Sequence, residues 1–452
     1  MTDRVNSTTD VCLILEGTYP HVSGGVSTWT HDLIRAQADL SFHLVTISPL
    51  HAELREQYEI PPNVTGMTRV RVQGLPEGAR CTKKHLGIFH RLEGPLLRML
   101  SRGGLQDLAA IIEALGPARG QIGSRVLLNS IPAWNMLLDM YHSAYRESSF
   151  LDYFWTWRAL LGGLYSMLLP ELPPARVYHA VSTGYAGVFA ARAALESGRP
   201  ALLTEHGIYT NERRIEISMA DWLYELPSRR LAVDGSRQNL KDLWIRTFVG
   251  YSRACYEACS RIITLYEGNQ AFQLEDGAPS EKLQVIPNGI DFERFSKVCR
   301  EGARRSPSVA LIGRVVPIKD VKTFIRACSI LREMMPDVTA WILGPTDEDE
   351  DYFRECRILV QHLSLDKTVE FAGRVRLDEY LGRVDVIALT SISEAQPLVI
   401  LEAGAAGIPA VATDVGACRE MIHGRRSESP RLGEGGVVTE LSNPTATATG
   451  LA

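Results

Sequence analysis

The chain has 452 residues, of which 45% are hydrophobic and 22% charged, and its formal net charge is -5. That length exceeds one ordinary core and predicts two or three domains. The mildly acidic balance supplies no global basic field, which excludes a chain organised around nucleic acid or an anionic membrane surface.

The opening MTDRVNSTTD is polar, so no secretory leader is expected. It leads into the first predicted strand, Val11 to Leu15, then the loop EGTYPHVSGGVS, a helical pattern TWTHDLIRAQADL and a second strand, FHLVTIS. Strand, glycine-bearing loop, helix and strand open a doubly wound α/β domain. From about residue 81 to 170 apolar residues recur at spacings of three and four, which predicts a helical insertion in that domain. Its most apolar stretch, Ala159 to Leu169, holds two glycines and stops at Pro170. It falls short of the ~20 residues a spanning helix needs. A cytoplasmic chain is therefore expected, peripheral to a membrane only through partners. Strands resume at ARVYHAV and ALLTEHG, followed by a helix from about Leu240 to Ser260 and the strands RIITLY and LQVIPNG. The eight cysteines form no CxxC pair. Cys255 and Cys259 are four apart with no second ligand pair nearby, so neither zinc nor a disulfide is expected.

The polar segment Ser296 to Ser308, with Arg300, Arg304 and Arg305, is the expected connector between domains of residues 1–300 and 301–452. Beyond it the alternation restarts through SVALIG, VTAWILG, TVEFAG, DVIALTS and PAVAT, with a helix after each of the first four. This predicts a second parallel sheet covered on both faces, and two such domains predict a cleft. After GGVVT the chain ends in LSNPTATATGLA, so the second domain reads as incomplete at its C-terminus.

Three segments carry chemistry. Gly24 and Gly25 lie between a strand and a helix, where glycine permits close backbone approach and the helix start offers N–H groups to an anion. The pattern is not GxGxxG, so a plain tight turn is the alternative and a nicotinamide-dependent dehydrogenase is not favoured. Gly313, Arg314 and Lys319 follow the strand SVALI, where open α/β sheets bind ligands. Two cations there could clamp a diphosphate, or could simply be solvated loop charges. Glu394 precedes a helix announced by Pro397, and Glu402 lies inside it, in an apolar run where a buried acid needs a partner. His179 and His206 each sit at the end of a strand-like run, and either alone reads as a hydrogen-bonded structural histidine. The acidic run TDEDED is read as the start of a helix rather than as a metal site.

In order, GGV, TEHG, IPNGID, GRVVPIKD and the pair Glu394 and Glu402, followed by EAGAAGIPAVATDVG, resemble the retaining glycosyltransferases of family four, which have the GT-B fold. LEGTYPHVSGGVSTW, YHAVSTGYAG, TEHGIYTNERRIEI and TSISEAQPLVILEA are similar to the enzymes of Pel-type exopolysaccharide synthesis. The resemblance spans nearly the whole chain. It implies two Rossmann-like domains facing a cleft and retaining transfer of a hexose or N-acetylhexosamine from a UDP-sugar to a growing polysaccharide. No metal or other cofactor is implied, and membrane-bound synthase subunits are the implied partners. A catalytically silent nucleotide-sugar-binding or scaffolding subunit of such a complex is the alternative. By residue, it implies that Arg314 and Lys319 hold the diphosphate and that Glu402 binds the ribose. Glu394 contacts the donor hexose, with Gln396, Pro397, Leu398 and Val399 near sugar and phosphate. Gly24 and Gly25 approach the diphosphate, His206 lies by the reacting carbon, and Arg374 and Val375 border the base. The residues after Glu394 depart from the family's Gly-Phe, being Ala395-Gln396.

Overall fold

Along the first strand, Cys12 and Ile14 join one apolar core while Leu13 and Leu15 join another. That period of two, apolar on both sides, marks a strand covered on both faces. The computed structural model describes residues 8–219, 239–299, 306–425, 429–431 and 433–452. Arg300, Arg304 and Arg305 of the expected connector lie outside the described residues.

The chain divides into two units, Met1–Val285 and Ile286–Ala452. The first holds a parallel sheet of seven strands: β1 (Thr9–Glu16), β2 (Phe42–Ser48), β3 (Val64–Arg71), β4 (Ala175–Ala180), β5 (Ala201–Glu205), β6 (Cys259–Thr264) and β7 (Leu283–Val285). Their order is β3-β2-β1-β4-β5-β6-β7, which reverses direction between β1 and β4. Besides the helices Tyr209–Met219 and Gly268–Glu275, β3 and the helix Tyr185–Ser197 of this unit escape the sequence reading. β3 lies at the sheet's edge and buries only Val70, so it carries no strand-like apolar run. The helix Tyr185–Ser197 is buried continuously from Tyr185 to Ala193, which erases the one-sided period that betrays a helix.

Between β3 and β4 the chain is helical, chiefly in Leu86–Met99, Leu105–Leu115, Ile131–Met140 and Phe150–Leu168. These helices share one core with the sheet, through Leu92, Leu96, Leu108, Ile111, Trp157 and Leu161. Ser130 and Ser149 accept hydrogen bonds from Ala133 N and Asp152 N, capping the last two of them.

The second unit holds six parallel strands: β8 (Ser308–Ile312), β9 (Thr339–Leu343), β10 (Val369–Gly373), β11 (Val386–Leu389), β12 (Ala410–Thr413) and β13 (Gly436–Thr439). Their order, β10-β9-β8-β11-β12-β13, reverses between β8 and β11. Val309, Leu311 and Ile342 pack one face under the helices Val321–Met334 and Glu350–His362. Ala310, Ile387 and Ala412 pack the other, with Ile400 and Ile422. Residues 286–299 group with this unit because Phe295 is buried in its core and Asn288 bonds to Gln396. The division therefore falls upstream of the polar stretch that composition singles out. The helix Pro444–Leu451, capped by Asn443, buries Ala448 and Leu451. Among the described residues no helix is long and apolar enough to cross a membrane.

Candidate functional site

In open parallel sheets, ligands bind beyond the carboxyl ends of strands where the strand order reverses. In the second unit that point lies between β8 and β11. Three glycines line the adjoining strand ends: Gly313 after β8, Gly344 after β9 and Gly373 at the end of β10. Gly313 N donates to Leu343 O at 2.9 Å, and Gly344 N to Gly373 O at 2.9 Å. A Cβ at Gly344 would fall 2.0 Å from the Gly313 carbonyl oxygen, so the turn that launches Arg314 requires glycine there.

Arg314 leaves this turn and pairs with Glu348. Lys319 ends a short turn, Pro317–Lys319, and its Nζ lies 2.5 Å from Glu394 Oε1. Ser391 Oγ donates to the same oxygen at 2.7 Å. The pair is sheltered, with side chains 23% and 13% exposed, so its attraction is less screened than a surface pair's. The two loops are laced together: Thr390 Oγ1 donates to Lys319 O at 3.1 Å and Asp320 O at 3.0 Å, and Ile392 N to Ile318 O at 2.8 Å. Asp320 adopts a left-handed φ of 43° and caps the helix Val321–Met334.

Glu402 lies in the helix Leu398–Ala405. Burial pushes its carboxyl up from the ordinary range, opposed by the Arg294 guanidinium. Among the described residues its side chain makes no hydrogen bond, although it is half-buried. Pro397 occupies the N-cap, and Leu398 and Val399 open the helix. Gln396 is held from both ends by Asn288, whose backbone N donates to its Oε1 at 2.6 Å and whose Nδ2 donates to its carbonyl at 3.2 Å. A Cβ at Gly416 would fall 2.3 Å from Glu394 O, so the turn after β12 presses on the Glu394 loop. Arg374 lies 3.5 Å from Asp347, and Val375 packs against the core beneath it.

The structure thus joins Lys319 to Glu394 and sets Gly313, Arg314 and Arg374 at neighbouring strand ends. Each cation of the expected two-cation clamp is paired with an acid, Arg314 with Glu348 and Lys319 with Glu394. The acidic run is also more than a helix start. Asp349 caps Glu350–His362 by accepting from Tyr352 N at 2.9 Å, while Asp347 and Glu348 reach the strand-end arginines.

In the first unit Gly24 is an extended N-cap without a side-chain bond, and Gly25 begins the helix Gly25–Ala36. Trp29 of that helix meets the His206 ring edge-on, with centroids 4.5 Å apart, and lies 6.3 Å from His179. His179 Nε2 is 2.8 Å from Thr204 Oγ1, whereas His206 Nε2 is buried with no hydrogen-bond partner among the described residues. Burial pushes both imidazoles down to about 4, with His179 adding to the effect on His206. Both rings are neutral near pH 7.

Two acids at strand ends of this unit, Glu205 of β5 and Glu16 of β1, escape the sequence reading. Glu205 is fully buried, accepting from Tyr256 OH and Gln273 Nε2 at 2.8 Å, Thr183 Oγ1 at 3.2 Å and Tyr209 N at 3.3 Å. Glu16 accepts from Tyr209 OH at 2.7 Å and Ala186 N at 3.1 Å. The available signal is an acid closing an apolar strand, as in ALLTE, which must find partners if buried.

Residues 9–281 match the family described as a domain of unknown function (DUF3492), and residues 306–452 match the glycosyl transferases group 1. A D-inositol 3-phosphate glycosyltransferase of Pseudarthrobacter chlorophenolicus is 32% identical over 162 residues, which are 33% of this chain and 38% of that protein. An MMP alpha-(1->4)-mannosyltransferase of Mycolicibacterium hassiacum is 27% identical over 255 residues, 54% of this chain and 55% of that protein. The chain spans only 38% to 55% of the length of these curated relatives. Among solved structures, Anabaena HepE in complex with UDP and glucose aligns with a TM-score of 0.56 at 15% identity, over 98% of this chain and 89% of that one. The sucrose-phosphate synthase of Thermosynechococcus elongatus aligns with a TM-score of 0.56 at 15% identity, over 97% and 88%. The fold shared with these proteins is GT-B.

Proposed function

The chain belongs to the family of the domain of unknown function (DUF3492), joined here to a group 1 glycosyl transferase domain, and from this we propose that it transfers a hexose or N-acetylhexosamine from a UDP-sugar, with retention, onto a growing exopolysaccharide of the Pel type. The observation that carries this reading is the cluster of Lys319, Glu394 and Ser391 beside Arg314, at the strand ends where the second sheet reverses.

Breaking the bond from the anomeric carbon to a diphosphate builds negative charge on the leaving oxygen. Fixed cations stabilise that charge without reorganising during the reaction. Arg314 and Lys319 fill this role, and no metal is required. An arriving diphosphate takes over the cations that Glu348 and Glu394 now hold. Glu394 then presents its carboxylate to donor sugar hydroxyls, since each carboxylate oxygen accepts hydrogen bonds. Glu402 receives the ribose hydroxyls, which suits a half-buried carboxylate with no bond of its own. In the first unit, neutral His206 with its unbonded Nε2 serves the acceptor side.

The support from relatives is that group 1 glycosyl transferases match the second unit and that HepE, of the same fold, binds UDP and glucose. The test is release of UDP by the full chain from UDP-, GDP- and ADP-sugars in excess EDTA. Turnover of a UDP-sugar that persists in chelator is expected. Turnover abolished by EDTA, or confined to GDP- or ADP-sugars, overturns the reading.

A further inference from the structure

At the edge of the first sheet, beside the end of β3, the helical insertion helps to line an open cavity of about 790 Å³. Its walls come from the turn after β3, from the helix Phe150–Leu168 and from the helix Leu240–Ala258. Trp155 and Trp244 supply aromatic surface, and Gln73, Asp152, Thr156 and Arg158 supply polar groups. None of these residues serves the proposed donor site.

We propose that this cavity is a carbohydrate-binding site that holds a neutral glycan segment apart from the reacting end. Three observations lead there. First, Trp155 is 60% exposed although it follows the aromatic Phe154 and precedes Trp157, which is buried. A large indole left in water, on a helix packed from Leu160 to Leu168, is an available contact surface. Trp244 lines the cavity from the helix Leu240–Ala258 and is held in orientation by stacking on Phe248 with ring centroids 5.9 Å apart. A rigid indole gives large contact area at low entropic cost.

Second, the polar groups suit hydroxyls rather than ions. The lining carries one acid, Asp152, and one cation, Arg158, so it has no net charge. Arg158 is already engaged, donating to Leu128 O at 3.0 Å and lying 5.5 Å from the Phe154 ring centre. A nucleotide or phosphate would find a single cation here, already held by the Leu128 carbonyl, and would face the Asp152 carboxylate. A lipid chain would bury Asp152, Gln73 and Thr156 without partners, which is costly. A pyranose ring offers an apolar face of C–H groups to an indole and a rim of hydroxyls to amide, carboxylate and hydroxyl groups. That mixture matches these walls.

Third, the volume lies in the range of small-molecule sites and admits more than one sugar ring. Gly162, facing Gln73 at ordinary contact distance, keeps the floor open where a larger side chain would enter.

That the bound glycan is the growing polysaccharide rests on the proposed function, but glycan binding itself does not. The test is calorimetric titration of the full chain with hexasaccharides of the cello-, malto- and chito- series, alongside a separate titration with UDP. At least one hexasaccharide is expected to bind, and Trp155→Ala is expected to weaken it by about tenfold or more, as truncation of an aromatic anchor does. UDP affinity is expected to be unchanged in that variant. Ala159→Leu, which fills the cavity from a partly exposed position, is expected to weaken the same hexasaccharide. Failure of all three series to bind overturns the proposal, as does unchanged affinity in both variants. Loss of UDP binding with glycan binding intact contradicts the transferase reading and leaves this site standing.

Discussion

Lys319 shows what sequence can and cannot reveal about one residue. Its place after a strand end marks it as a candidate for anion binding. Its partner could not be read, because Glu394 is 75 positions away and is reached only through folding. Ser391, which also bonds Glu394, sits in no charged pattern and carries no signal of its own. On the proposed function, Lys319→Ala lowers kcat by about 10²–10³, the usual cost of removing a group aimed at developing charge. Glu402→Ala acts mainly on donor KM, because ribose hydroxyls do not change during the reaction. Steady-state kinetics of both variants checks this, and an unchanged kcat for Lys319→Ala contradicts the cation's role. His206 carries a second consequence. Its folded pKa of about 4 lies below the ordinary value of 6.5, so the unfolded chain takes up its proton first as pH falls. Stability from this residue is complete above about pH 6.5 and is lost progressively toward pH 4, on the order of 3 kcal/mol. Thermal melts from pH 7 to pH 4.5 are expected to show a falling midpoint, less steep in His206→Gln. Equal slopes for the two proteins contradict the buried neutral imidazole.

At the scale of elements, most strands were legible because each carries apolar residues on both faces. β8 to β12 follow that rule, and their boundaries lie within a residue or two of the apolar runs. β3 and the helix Tyr185–Ser197 were not legible, for opposite reasons: one buries too little and the other too much to leave a one-sided pattern. The acidic run was legible only in part. Capping by Asp349 follows from local spacing, whereas the pairing of Asp347 and Glu348 with Arg374 and Arg314 depends on three strand ends lying side by side. The glycines at those ends make that alignment possible. Gly344→Ala puts a methyl 2.0 Å from the Gly313 carbonyl oxygen, at a φ of 156°. The β8 turn must move, at a cost on the order of 2–3 kcal/mol. Chemical denaturation is expected to show that loss, together with weaker UDP binding because Arg314 springs from the displaced turn. An unchanged midpoint and unchanged UDP affinity contradict the close approach.

For the whole molecule, length and the restart of α/β alternation at Ser308 announced two parallel-sheet units, and the helical insertion was visible in apolar spacing. The division was not, since composition singles out the polar stretch from Ser296 to Ser308, whereas Phe295, just before it, is buried in the second core. Composition reports exposure on average, while a unit boundary is decided by a few buried anchors. The central claim is that the second unit binds the donor diphosphate through Arg314 and Lys319 without a metal. Calorimetric titration of UDP into the full chain and into Lys319→Ala, both in excess EDTA, tests it most directly. The account predicts saturable binding of one UDP per wild-type chain and an affinity lower by about tenfold or more in the variant, as expected when one of two charge-assisted contacts is lost. No binding to the wild-type chain in EDTA, or equal affinity for the two proteins, would contradict it.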